Sequence, residues 1–177
     1  MKSAKSAPRY AKALLELAIE QQKVESIESN MQRILNAALE TNEFQVFLNS
    51  PIINIDKKID VMNKLFGEFE PLTLSFIALI TKNGRERFIT EIAKSFISQV
   101  KKYKGIVPIS ITSATKLDAS TKAAIIARIS ATVQGTLEIT ELIDENVIGG
   151  FIVRMGDKQF DASVSTQLLR MKQELSK

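Results

Sequence analysis

DENVIGGFIVRMGDKQFD, residues 144–161, sets the character of the chain's C-terminal part. Val147, Ile148, Phe151, Ile152 and Val153 are β-branched or aromatic, the residue types that favour strands. Gly149 and Gly150 interrupt them, and a glycine inside a strand costs roughly 0.5–1 kcal/mol relative to alanine. Two in succession imply a packing reason, such as a bulge or a helix lying close against the backbone. Gly156-Asp157-Lys158 reads as a turn into a short strand at Gln159–Asp161. On the other side, Asp144-Glu145-Asn146 reads as a hairpin turn from a preceding strand in which Leu137, Ile139 and Ile143 alternate.

Further upstream, Val107, Ile109 and Ile111 alternate with Pro108, Ser110 and Thr112, which predicts the first strand. Pro108 places it at a sheet edge, or marks the outer part of a strand. A helix from about Asp118 turns Ile125, Ile126, Ile129 and Val133 inward. A last helix puts Val164, Leu168, Met171 and Leu175 on one stripe. Residues 105–177 thus read as a small α+β unit, β-α-β-β-β-α, with a sheet that contains a β-hairpin. At roughly 70 residues it is near the lower limit for independent stability, so docking against a partner would help it.

Before Lys104-Gly105 the apolar period is 3.6 throughout. Pro8 suits the first turn of a helix, with Tyr10, Leu14, Leu17 and Ala18 on one face. A second helix carries Val24, Ile27, Met31, Ile34, Leu35 and Ala38. A short third holds Phe44, Phe47 and Leu48 and stops at Ser50-Pro51. Asp56 is the expected N-cap of a fourth, bearing Ile59, Met62, Leu65, Phe66 and Phe69. Pro71 opens a fifth, closed by Asn83-Gly84. A sixth runs from about Glu86 through Phe88, Ile92, Phe96, Val100 and Tyr103. Residues 1–104 therefore read as an all-α six-helix bundle. The fifth helix, LTLSFIALI at 72–80, is apolar almost all round, which fits either a central helix or a groove that receives a partner's helix. Ala11 and Ala13, small residues beside the first helix's stripe, favour close approach of another helix.

Composition removes whole classes of chemistry. The chain has 177 residues, no cysteine and no histidine. Disulfides, thiolate chemistry, Ser-His-Asp or Cys-His nucleophiles and the commonest metal ligand are all excluded. A carboxylate-only site would need clustered acids, and Glu141, Asp144 and Glu145 surround the expected turn. VIGGFIVRMGD lacks the spacing of a phosphate loop or a dinucleotide fingerprint. No catalytic residue, cofactor or metal site is expected. Net charge is +4, with 16 Lys/Arg against 12 Asp/Glu over 1–104 and 8 against 8 over 105–177. Lys101, Lys102 and Lys104 beside Tyr103 form the densest basic run. Two Tyr and no Trp make a poor stacking surface, so a nucleic-acid partner is not expected. No apolar run reaches the ~20 residues of a membrane span. MKSAKSAPRY has no hydrophobic signal core. The expectation is a soluble, cytoplasmic chain without direct membrane insertion.

Taken in order and spacing, APRYAKALLELA at 7–18, NGR at 83–85 and the glycine-bearing segment resemble the delta subunit of F-type ATP synthases, a family that includes the mitochondrial oligomycin-sensitivity-conferring protein. Relatives often have Arg-Pro-Tyr where this chain has Pro8-Arg9-Tyr10, and Gly before the last Ser where it has Ala162-Ser163. The resemblance implies a non-catalytic stator subunit, one copy per complex, on the cytoplasmic face of the bacterial plasma membrane. It implies an N-terminal domain that grips alpha-subunit helices in a groove between the first and fifth helices. Tyr10, Ala13, Leu14, Ser75 and Leu79 match the groove positions. It implies a C-terminal domain that engages the b-subunit dimer of the peripheral stalk, with Gly150, Arg154, Gly156 and Asp157 matching the family's pattern and Gly149 beside them. The alternative reading is a basic RNA-binding protein or an interaction module of another assembly.

Overall fold

The computed structural model describes residues 6–130, 135–145, 147–156 and 158–175, with Arg170, Glu174 and Leu175 described for backbone only. The chain divides into two compact units, Met1–Tyr103 and Lys104–Lys177.

The first unit is helical. Its described residues form α1 (Ala7–Glu20), α2 (Val24–Glu40), α3 (Asn42–Asn49), α4 (Ile55–Leu65), α5 (Pro71–Lys82), a 3₁₀ turn at Glu86–Phe88 and α6 (Ile89–Tyr103). α1 and α2 both lie along α6. Leu14, Ile27, Met31, Ile34, Ile77, Ile92 and Phe96 fill the centre, each almost wholly out of water. The face that α1 buries is Ala7, Ala11, Leu14, Leu15 and Ala18. Leu17, expected inward, is 43% exposed. Three small residues let α1 sit close on its neighbour, and that rotates the helix so that Leu15, not Leu17, completes the buried stripe.

α1 ends in an uncommon way. Gln22 has φ +54, and its N–H bonds to the Ile19 carbonyl at 3.0 Å while the Lys23 N–H bonds to Ala18 at 2.9 Å. This is a Schellman closure with glutamine at the left-handed position that glycine prefers. Gly84 serves the same role after α5, at φ +64, with the Arg85 N–H on Ile80 at 3.0 Å. At α4 the N-cap position is Asn54, and Asp56 lies inside the first turn. α4 stops at Leu65, so Phe66 and Phe69 are buried from the following loop, stacked at 4.8 Å between centroids.

Lys58 is the one buried cation among the described residues. Its ammonium donates to the Leu48 carbonyl at the end of α3 (3.1 Å) and to Glu86 Oε1 (2.7 Å). The pair joins α3, α4 and the 3₁₀ turn, and Glu86 Oε2 is buried with no protein partner.

The second unit holds β1 (Ile106–Ser113), α7 (Ala119–Ser130), β2 (Thr136–Ile143), β3 (Phe151–Met155), β4 (Lys158–Asp161) and α8 (Val164–Leu175). The sheet order is β2-β1-β3-β4. β1 and β2 are parallel, with α7 as the crossover, while β3 and β4 are antiparallel additions on the other side. β2 and β3 are therefore not paired as the expected hairpin, and Asn146 of its expected turn lies outside the described residues. The chain leaves β2 and crosses to the far side of β1, and the hairpin is β3–β4. β1 and β3 are the inner strands, and β1 buries Ile109 and Ile111, while β2 exposes Leu142 and Ile143 as an edge. Pro108 fits an inner strand because of which side it lacks a donor on. Gly105 and Ser113 carbonyls bond toward β2, to Thr136 and Asp144 (both 3.0 Å). By alternation, Pro108 faces β3, whose pairing begins only at Ile109. Ile125 is buried on α7, while Ile126 and Ile129 are half-buried; Val133 lies outside the described residues. Asp118 caps α7, accepting from the Thr121 N–H at 3.0 Å and from the Ser120 hydroxyl. These bonds hold its carboxyl well below the usual carboxylate range.

The buried Lys58 pair and the Gln22 closure give opposite mutational signs. Lys58→Ala would leave Glu86 buried and unpaired and should destabilise the N-terminal unit by about 3 kcal/mol or more. Gln22→Gly should stabilise it by about 0.5–1 kcal/mol by removing left-handed strain. Urea denaturation followed by circular dichroism reads both. A Lys58→Ala protein as stable as its parent would show that the pair contributes nothing.

Candidate functional site

On α1, Tyr10, Ala13 and Leu17 fall three and four residues apart and form a second stripe, turned away from the buried one. Tyr10 is half-buried and packs against the core, and Ala13 is exposed. On α5, Thr73, Phe76, Ile77, Ile80 and Thr81 are buried. The two threonines are satisfied internally: Thr73 Oγ1 accepts from Asn30 Nδ2 at 3.2 Å, and Thr81 Oγ1 donates to the Ile77 carbonyl at 2.8 Å. That leaves Ser75 and Leu79 facing outward four residues apart, with Leu79 51% exposed. The all-apolar sequence of α5 thus reflects a wide buried face plus one outward apolar residue, Leu79. α5 comes to α1 at one end, where Arg85 Nη1 donates to Ser6 Oγ at 3.1 Å. Of the sequence-derived groove residues, Tyr10, Ala13, Ser75 and Leu79 reach the surface. Leu14 does not: at 0% exposure it belongs to the bundle core. The residue that pattern reading missed is Leu17. The signal was the Ala7-Ala11-Ala18 stripe, which marks the close-packed face and leaves Leu17 off it. A separate apolar cleft of about 320 Å³ lies at α2, α3 and α4, lined by Phe44, Phe47, Val61, Leu65 and Phe66 among others.

In the second unit, Gly149 and Gly150 lie in the loop before β3 and not inside the strand. Gly150 has φ +79, and a Cβ there would stand 2.3 Å from the Ala162 carbonyl oxygen and 3.1 Å from Ser163 Cα. A Cβ on Gly149 would meet Val164 Cγ2 at 3.1 Å. The close approach is locked on both sides, by Val164 N–H to the Gly149 carbonyl (2.9 Å) and Ala162 N–H to Phe151 (3.0 Å). Ser163, buried, caps α8: its Oγ accepts from the Thr166 N–H at 3.3 Å, and its own N–H donates to Asp161 Oδ1 at 2.8 Å. The glycines therefore let the start of α8 lie against the sheet's edge loop. Gly156 differs, at φ +56 with nothing near a Cβ, so it serves the β3–β4 turn alone. Asp157 lies outside the described residues. Arg154 is exposed on β3, its Nη2 donating to Gln159 Oε1 across the hairpin at 3.0 Å.

α8 carries its apolar stripe on an exposed face. Val164, Leu168 and Met171, expected on one stripe, are 40%, 60% and 58% exposed, and Leu169 is 57% exposed. The stripe is real, but the unit does not supply the surface to cover it. Among the described residues no group of three or more acidic side chains is placed to hold a metal ion.

A family described as "ATP synthase delta (OSCP) subunit" matches residues 7–175. An ATP synthase subunit delta of Flavobacterium psychrophilum is 31% identical over 99% of this chain and 99% of its own length. One from Prochlorococcus marinus is 33% identical over 95% and 93%. A chain of the Toxoplasma gondii mitochondrial ATP synthase hexamer, solved by cryo-electron microscopy, superposes with a TM-score of 0.74 at 26% identity, covering 97% of both chains.

The glycine geometry predicts unequal costs. Gly156→Ala meets only the left-handed penalty, about 1–2 kcal/mol. Gly150→Ala meets that penalty and a backbone carbonyl, so its loss should be larger and confined to the C-terminal unit. Denaturant midpoints of the two variants, read from that unit, decide it; equal midpoints would mean that α8 does not press on Gly150.

Proposed function

Because the chain belongs to the ATP synthase delta (OSCP) subunit family, we propose that it is the stator joint of a proton-translocating rotary complex, tying the alpha subunits of the catalytic head to the b-subunit dimer of the peripheral stalk. Members of that family are structural, non-catalytic subunits, and the chain is accordingly a subunit of the ATP synthase complex and part of the machinery of ATP synthesis. In this reading the N-terminal unit, folded as a six-helix bundle, grips the amphipathic N-terminal helices of the alpha subunits. The C-terminal unit holds the far end of the b dimer. One copy serves each complex, on the cytoplasmic face of the bacterial plasma membrane. No helix among the described residues is long and apolar enough to cross a membrane, so attachment would run through the partners.

The observation that carries the head-binding role is the pair of outward stripes on α1 and α5: Tyr10, Ala13 and Leu17 on one, Ser75 and Leu79 on the other. Both helices have already satisfied the bundle core with their other faces, so apart from Tyr10, which also packs against the core, these residues are surplus to folding. An apolar stripe with a small residue at its middle is what an incoming amphipathic helix needs. A stator joint must bind tightly and turn nothing over. An interface of ~800 Å² per partner is of a size compatible with nanomolar binding, about 12 kcal/mol. For the stalk role the support is the exposed Val164-Leu168-Met171 stripe of α8, spaced four and three residues apart like the seam of a coiled coil. Held on one side by the head and on the other by the stalk, the joint would keep the head from following the rotor.

Mixing the chain with a catalytic head stripped of its delta subunit should give a stoichiometric complex. Ala13→Asp should leave stability within about 0.5 kcal/mol, since the side chain is exposed. Its affinity for the head, or for a synthetic alpha N-terminal peptide, should fall at least tenfold, about 1.4 kcal/mol. Calorimetry measures both quantities. Unchanged peptide affinity in a folded Ala13→Asp protein would remove this surface from the interface.

A further inference from the structure

α1 packs along α6 and α2, and α5 against α4, but α1 and α5 do not pack along one another. Side-chain bridges join them instead, one at each end. Both helices close alike. Two residues beyond each cap stands a cation whose N–H returns to the helix: Lys23 to the Ala18 carbonyl (2.9 Å) after α1, and Arg85 to the Ile80 carbonyl (3.0 Å) after α5. Each cation then reaches the residue that begins the other helix. Arg85 Nη1 donates to Ser6 Oγ at 3.1 Å, and Lys23 Nζ donates to Glu70 Oε2 at 2.7 Å. Ser6 and Glu70 are the N-cap residues of α1 and α5, and neither side chain caps its own helix. A serine at that position ordinarily accepts from N–H groups of the first turn; here its oxygen is turned across to Arg85. Lys23, and after it Ser26 Oγ on Glu70 Oε1 at 3.0 Å, hold the Glu70 carboxyl below its ordinary value. The Glu70 carbonyl meanwhile starts α5, accepting from the Thr73 and Leu74 N–H groups at 2.8 and 3.1 Å. The bridges run start to end and end to start, so α1 and α5 lie antiparallel.

Resting on the head-binding reading above, we propose that Arg85 and Glu70 are positioning residues for the groove: with Ser6 and Lys23 they close α1 and α5 into a frame that fixes the separation of the two outward stripes. The helices are anchored to the bundle through different neighbours, so a small shift of α4 against α6 would change the gap between the stripes. The bridges oppose such shifts directly, and bonds from charged donors are the stronger kind. The gap matters because apparent affinity is reduced by the fraction of molecules whose groove has the binding width. A groove already at that width also avoids an ordering cost on binding. The two left-handed closures belong to the frame. Gly84 at φ +64 turns the chain so that Arg85 comes back to α1, and Gln22 at φ +54 does the same ahead of Lys23. The third residue of the Asn83-Gly84-Arg85 segment thereby has a task that the helix closure alone does not give it.

Calorimetry of the full chain with a synthetic alpha N-terminal peptide tests this, together with a distance read in the free chain. The sequence has no cysteine, so Lys12→Cys and Lys82→Cys, at exposed positions of α1 and α5, take spin labels at those sites alone. Electron–electron resonance should give one narrow distance in the parent. Ser6→Ala and Glu70→Ala should each broaden it and weaken peptide binding about threefold, and the two together about tenfold. Ser6→Asp, which returns an acceptor to Arg85, should stay within about twofold of the parent. Circular dichroism sets these losses apart from unfolding, and Ser6→Ala, which removes no cap from α1, keeps the test open if Glu70→Ala fails to fold. Weaker binding with an unbroadened distance would mean that these side chains touch the peptide themselves, and would overturn the frame. Affinity within about twofold of the parent in the double variant overturns the frame and leaves the head-binding reading standing. Absence of peptide binding by the parent overturns that reading and the positioning role together.

Discussion

α1 has two apolar faces and the bundle can bury one. Which face goes inward is settled by size: Ala7, Ala11 and Ala18 let the helix lie close along α6, and Leu14 and Leu15 fill the space beside them. The outward surface of α1 follows from that choice. Tyr10, Ala13 and Leu17 are turned outward, so a helix that would otherwise finish its folding task at the core keeps an apolar stripe for something else. α5 is constrained likewise, with five residues buried and its threonines closed onto internal partners. A surface that exposes apolar groups costs solubility, and it is tolerated where a partner covers it.

The C-terminal unit obeys a different constraint. Its sheet is built around β1, and α8 must leave the end of β4 beside the loop that opens β3. The backbones come so close there that only glycine fits at 150. The hydroxyl and carboxylate caps of Ser163 and Asp161 then fix where α8 begins. Once its start is fixed, α8 has no surface of its own unit to cover Leu168 and Met171. Both units thus carry apolar surface left over from folding.

Much of this was legible in the residues. The helical period over the first hundred residues, the change to alternation at Lys104-Gly105 and the closure at Asn83-Gly84 all rest on local rules that leave marks in sequence. What was not legible depended on partners distant in the chain. The pairing of β1 with β2 in parallel, and hence the loss of the 144–146 hairpin, is decided by which strand is inner, and a turn-like DEN segment says nothing of that. Asp56 reads as a cap, yet the loop from Ser50 delivers Asn54 to that position. Leu14 and Leu17 share one face on a helical wheel to within a turn, and only the packing distance to α6 separates a core residue from a surface one. The Lys58–Glu86 pair is invisible in sequence, because a lysine among polar neighbours on α4 gives no sign that it will be 4% exposed. Asp157, Val133 and the side chain of Leu175 lie outside the described residues.

Methyl resonances give the most direct test of the central claim, that the outward stripes of α1 and α5 receive an alpha-subunit helix. With alanine and leucine methyls labelled in the full chain, an alpha N-terminal peptide is titrated in. The account predicts that Ala13, Leu17 and Leu79 shift together and saturate at one equivalent, while core Leu14 moves far less. Perturbation centred instead on Leu65, beside the cleft at α2, α3 and α4, with Ala13 and Leu79 unmoved, would contradict it.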